Sequence, residues 1–106
     1  MIKGLLEGSI LSLMSKEDIY GYELLEKLQS GGFQLVREGT IYPLLLRLEK
    51  EKLITSYFGP SPSGPRRKYY KITDDGIIAL NVFKENWFKV EESVNFFLNL
   101  KLREDE

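Results

Sequence analysis

EGTIYPLLLRLEKEKLITSYFGPSPSGPRRKYYKI, residues 38–72, is the stretch on which the fold turns. Its first half sets Ile41, Leu44, Leu45 and Leu48 at i, i+3, i+4 and i+7, one face of an α-helix. Proline has no amide hydrogen and is tolerated chiefly in a helix's first turn. Pro43 therefore predicts a start near Gly39 or Thr40, with the Thr40 hydroxyl as the cap. Thr40, Tyr42, Pro43, Leu46, Arg47 and Lys50 fall off the apolar stripe. In the second half, ITSYF and RKYYKI are rich in β-branched and aromatic residues and flank GPSPSGP, whose glycine, proline and serine force a loop. A two-stranded hairpin with a stiff tip is predicted. Tyr69 and Tyr70 must face opposite sides of their strand, so at least one enters the core.

Upstream, residues 2–14 place Leu5, Leu6, Ile10, Leu13 and Met14 around most of a helix, which must be buried or covered by a partner. Asp18 reads as the N-cap of a second helix, YGYELLEKLQ, with Tyr20, Leu24, Leu25 and Leu28 inward and Gly31 and Gly32 at its end. A short extended stretch is expected around Phe33 to Val36. Downstream, Thr73 followed by Asp74 and Asp75 caps a last helix, because a hydroxyl and early carboxylates satisfy free amides and oppose the dipole. That helix is expected over residues 74–101, ~28 residues or ~42 Å, far more than one small domain can cover. Leu80, Phe83, Trp87, Val90, Val94 and Phe97 recur along it at spacings of three and four, the pattern of a helix that packs on another helix. A homodimer follows, with Leu5, Leu6 and Leu13 of the apolar first helix in the same interface. The acidic end REDE is expected to fray.

The chain has 106 residues, enough for one domain with a modest core, and its 42% hydrophobic and 29% charged content is that of a folded globular protein. It has no cysteine and no histidine, which excludes disulfides, thiolate or imidazole metal sites and Cys or His catalysis. No metal or cofactor is expected. No run of the sequence reaches the ~20 apolar residues of a membrane span and no cleavage signal follows the N-terminus, so a cytoplasmic location is expected. The net charge is only -1, but it is segregated. Residues 37–71 hold eight cations (Arg37, Arg47, Lys50, Lys52, Arg66, Arg67, Lys68 and Lys71) against three acids, while both flanks are acidic. Such a block is either an electrostatic footprint for nucleic acid or a solvated basic face.

Three short helices followed by a basic hairpin is the order of a winged helix-turn-helix, whose third helix enters the major groove while the hairpin touches neighbouring backbone or minor groove. The predicted architecture is mainly α with a small β-hairpin. A winged helix-turn-helix domain spans residues 1–72, and a C-terminal dimerisation helix lies within residues 73–106. Thr40 and Tyr42 suit phosphates or base edges, Arg47 a phosphate or a guanine, and Arg66, Arg67 and Lys68 phosphates or a narrow minor groove. For Tyr42 the alternative is partial core packing. Two rivals are a winged-helix protein-interaction module and an enzyme. Against the enzyme stand the missing His and Cys, the lack of paired acids in an identifiable cleft, and a GPSPSGP loop without the Lys-Ser/Thr ending of a phosphate-binding loop.

GYELLEKL, EGTIYPLLLRLEKEKLI, GPRRKYYKIT and TDDG leading into a long Trp-bearing helix together resemble PadR-like transcriptional regulators, over nearly the whole chain. The resemblance implies a dimeric winged helix-turn-helix of the small subgroup with one C-terminal helix, repressing transcription from a roughly palindromic promoter site in double-stranded DNA. Thr40, Tyr42 and Pro43 match the family's recognition-helix motif and Arg66 to Tyr70 its wing motif. Arg37, counted with the DNA-binding residues, stands where a small polar cap is frequent. Some small members bind planar aromatic compounds between the C-terminal helices. Trp87 is then a stacking residue for such an effector or simply interface core, and Glu91, one turn on, complements a cationic ligand.

Overall fold

The computed structural model describes residues 2–62 and 64–103; the expected fraying of the acidic end falls largely on residues 104–106, outside the described residues. Four helices and three short strands make it up: α1 (Ile2–Met14), β1 (Ile19–Tyr20), α2 (Gly21–Ser30), α3 (Glu38–Lys50), β2 (Ile54–Gly59), β3 (Arg67–Ile72) and α4 (Asp74–Leu98). Leu6, Ile10, Leu11 and Met14 of α1, Leu24, Leu25 and Leu28 of α2 and the predicted stripe of α3 close one core with Ile19, Ile54, Tyr70 and Leu80.

The hairpin forms as predicted, but β1 joins it, giving an antiparallel sheet in the order β1-β3-β2. Ile19 pairs with Tyr70 and Tyr20 with Tyr69. Asp18 is therefore not a helix cap. Its carboxylate accepts a hydrogen bond from the Tyr57 hydroxyl at 2.6 Å, and α2 starts after Tyr20 without a side-chain cap. A β-branched residue followed by an aromatic suits a pleat with one buried and one outward side chain. Ile19 accordingly enters the core while Tyr20 turns to the outer face, where Tyr69 meets it edge-on and stacks on Tyr57.

Both α2 and α3 end in the same way. Phe33 and Leu53 donate their amides to Leu28 and Leu48 while laying apolar side chains on the core, and Gly32 and Lys52 donate theirs to Gln29 and Glu49. Gly32 has φ 126, a region open to glycine; Lys52 occupies the left-handed region too, at φ 65, where a side chain is disfavoured. The residues from Phe33 to Val36 form turns rather than the expected extended stretch.

Helix α3 begins at Glu38, earlier than Pro43 suggests, with Arg37 as an N-cap that makes no side-chain cap bond. Thr40 is thus inside the helix. Pro43 lies in its second turn and removes the amide that would bond the Gly39 carbonyl; Gly39 is exposed, so water can take that place. Thr73 caps α4 as predicted, accepting the Gly76 amide at 3.0 Å, and its amide donates to Leu53 O at 3.0 Å. Gly76 is buried against that same carbonyl, where any β-carbon would collide with it. Helix α4 stops at Leu98, short of residue 101, where Asn99 returns its side-chain amide to the Asn95 carbonyl at 2.6 Å. Its 25 residues span ~37 Å and stretch the chain to 66 × 27 × 21 Å.

Candidate nucleic-acid interface

The basic block falls on α3 and the β2–β3 wing. With Ile41, Leu44, Leu45 and Leu48 inward, α3 exposes Gly39, Pro43, Leu46 and Lys50 on the opposite face. Thr40 and Arg47 lie on the flank towards α1, and Tyr42 and Glu49 on the flank towards the sheet.

Tyr42 is 42% exposed, so it is neither core nor free. Its hydroxyl would lie 2.9 Å from a β-carbon at position 21, which is why the start of α2 approaches so closely only as glycine. Together with Tyr20, Tyr22, Arg67, Lys68 and Tyr70 it lines a cleft of about 490 Å³ between α3, the start of α2 and the wing. Two wing cations thus meet the third helix at one place. The Arg67 guanidinium lies 4.2 Å from the Tyr20 ring centre, and the Lys68 ammonium 5.4 Å from that of Tyr70 and 3.8 Å from Glu49 Oε1. Ser56 donates to the other Glu49 oxygen at 2.5 Å. Burial first, and then the neighbouring Glu49 and Tyr42, raise the Tyr70 pKa above its ordinary value, so its hydroxyl stays protonated at neutral pH.

The other three arginines of the basic block are held by their own domain. Arg66 donates to the Phe58 carbonyl at 3.1 Å, bracing the wing tip alongside the bond from the Tyr69 hydroxyl to Pro60. Arg37 donates to the carbonyls of Gln34 at 2.8 Å and Val36 at 3.1 Å, tying down the turn before α3. Arg47 forms an ion pair through Nη2 with the buried Oε1 of Glu7 in α1. The sequence groups these cations correctly on two elements, but it does not reveal Glu7, Tyr20, Gly21 or Tyr22 beside them. Glu7 is an ordinary acid on an apolar helix, and the cleft residues come together only because β1 exists.

The interface candidates divide. Leu6 and Leu80, 1% and 3% exposed, fill the domain's own core and offer no surface to a second copy. Leu5 and Leu13 are half-buried; Phe83 is half-buried too, its ring against Gly8. Beyond it Trp87, Val90, Val94 and Phe97 are exposed, and so are Phe88, Phe96 and Leu98, which the spacing pattern passes over. Gly4 and Leu5 of α1 with Phe83, Asn86, Trp87, Val90, Glu91, Val94 and Asn95 of α4 line a mainly apolar groove of about 620 Å³. Among the described residues no cluster of acids fit to hold a metal occurs, and no helix is long and apolar enough to cross a membrane.

The sequence profile of the transcriptional regulator PadR-like family matches residues 10–82. The structure is similar to that of a PadR-like transcriptional regulator from Bacillus cereus, 52% identical, with a TM-score of 0.88 over 95% of this chain and 98% of that one. A Streptococcus transcriptional regulator is 40% identical, with a TM-score of 0.86 over 92% of this chain and 96% of that one. A transcriptional regulator from Clostridium thermocellum is 35% identical, with a TM-score of 0.81 over 92% and 97%.

Proposed function

Since the chain belongs to the PadR-like family of DNA-binding transcriptional regulators, and is no enzyme, we propose that it binds a roughly palindromic promoter site as a homodimer and represses transcription there. The observation that carries this reading is the cleft in which Tyr42 of α3 meets Arg67 and Lys68 of the wing. A duplex lying along α3 would bring its phosphates to those cations while the exposed face of α3 enters the major groove. Thr40 and Pro43 accompany Tyr42 at the groove, Arg37 and Arg66 hold the entry turn and the wing in place, and Arg47 reaches a phosphate only when released from Glu7.

Dimerisation is supported by the apolar surface that α4 leaves in water from Trp87 to Leu98, too extensive to stand uncovered. Two copies joined there set two third helices about one turn of DNA apart, ~34–36 Å. Repression requires only occupancy of the promoter. The groove holding Trp87 and Glu91 suits a planar aromatic effector, cationic if Glu91 takes part, which releases DNA by favouring a different spacing of the two reading heads.

Fluorescence anisotropy of labelled DNA from upstream of the gene, with random competitor and at two salt concentrations, tests the reading. Competitor-resistant, salt-sensitive binding with two chains per site is expected. Binding that competitor abolishes, or that ignores salt, refutes specific recognition and points instead to a protein-interaction module. Planar dyes should quench Trp87 fluorescence saturably; unchanged emission across a varied panel refutes the effector.

A further inference from the structure

The core stripe of α3 fixes what the helix turns outward. Tyr42 and Arg47, polar side chains suited to a base edge or a phosphate, are on the flanks, and each is drawn to a neighbour: Tyr42 into the cleft with Arg67 and Lys68, Arg47 onto Glu7. What projects from the middle of the exposed face has almost no hydrogen-bonding chemistry. Gly39 has no side chain, Pro43 has a ring without a donor, and Leu46 presents an isobutyl group that is 67% exposed and contributes nothing to the core. Lys50, one turn further on, is the only charge on this strip. Single exposed leucines are ordinary on protein surfaces. This one occupies the centre of the face that the basic block turns towards nucleic acid.

We propose that Leu46 is a specificity-determining residue that recognises the C5-methyl group of a thymine in the major groove. The inference rests on the reading that α3 enters that groove. Each base pair displays its own pattern there, and the methyl of thymine is the one apolar feature among otherwise polar edges. An isobutyl group gains by covering that methyl, but it leaves the cytosine amino group or the guanine carbonyl without a partner. Gly39 and Pro43 keep the leading side of the helix thin, so that the Leu46 side chain can reach a base edge. Lys50 supplies charge for the phosphates flanking it.

Burying one methyl-sized group changes an equilibrium about fourfold, hence about 15-fold for two symmetry-related half-sites. The test starts from sites selected by the wild-type dimer from a random duplex library. Each thymine of the selected site is then replaced by uracil, which removes only the methyl, and wild type and Leu46→Ala are titrated against the set. One thymine per half-site should be found whose replacement weakens wild type about fourfold and leaves Leu46→Ala unaffected. Leu46→Gln, selected from the same library, should change the preferred base at that position alone. Equal sensitivity to uracil in wild type and Leu46→Ala, or an unchanged preference in Leu46→Gln, overturns the inference while leaving DNA binding intact. A library that yields no preferred site overturns the proposed function, and this inference with it.

Discussion

Replacing Glu7 by Gln isolates the electrostatic role of Arg47. The pair joins α1 to the flank of α3, with the Arg47 side chain about half exposed and that of Glu7 mostly covered. While it is intact, Arg47 brings no net charge to a phosphate. Removing the carboxylate frees one cation per protomer, two per dimer. Each phosphate newly neutralised steepens the log-log dependence of affinity on salt by ~0.9, so the slope should increase by ~1.8; between 50 and 200 mM salt, that is about 12-fold more affinity lost than in wild type. Anisotropy titrations at four salt concentrations would measure it, with melting curves confirming that the variant folds. In the Glu7→Gln background Arg47→Ala should restore the original slope, whereas in wild type it should leave the slope nearly unchanged. Identical slopes for wild type and Glu7→Gln would mean that Arg47 exchanges Glu7 for phosphate on its own, and the reasoning would fail.

Gly76→Ala adds a good helix former but places its β-carbon on the Leu53 carbonyl; overpacking of ~1–3 kcal/mol outweighs the ~1 kcal/mol gained in propensity. A lower melting temperature at fixed protein concentration is expected, and an equal or higher one would refute the contact. Lys52→Gly should stabilise the fold by about 0.5–1 kcal/mol in urea denaturation, since relieving a side chain at φ 65 gains more than the looser unfolded chain costs in entropy; a lower midpoint would count against it. Trp87→Glu puts a charge into the apolar face of α4 and should yield monomers in sedimentation and loss of operator affinity. A fully active dimer would mean that the interface lies elsewhere.

What could be read from the sequence was what the chain decides locally. The stripe of α3, the Thr73 cap and the pairing of the two strands that flank GPSPSGP each need only a few neighbouring residues, and each is found in the structure. What could not be read depends on distant partners. Asp18 has the chemistry of a cap, but a hydroxyl 39 residues away takes its carboxylate. Strand β1 is two residues long and exists because β3 offers it an edge. Lys52 adopts a conformation that favours glycine because the Leu53 side chain must reach the core.

The same division runs through the site. Residue chemistry proposes Tyr42 and Arg47 as DNA contacts, and both lie off the stripe, but a helix has flanks as well as a front. Both flanks of α3 are claimed by neighbours, leaving Leu46, the least polar side chain available, in front. On α4 the period continues unbroken from Leu80 to Phe97, yet Leu80 packs on its own α1 and core, Phe83 rests against Gly8 at the border, and from Trp87 onward the face is exposed. A hydrophobic period specifies which side of a helix must be covered. Whether the domain itself or a second copy covers it is decided by where the first turns dock, and here the Thr73 bonds and the buried Gly76 fix that docking.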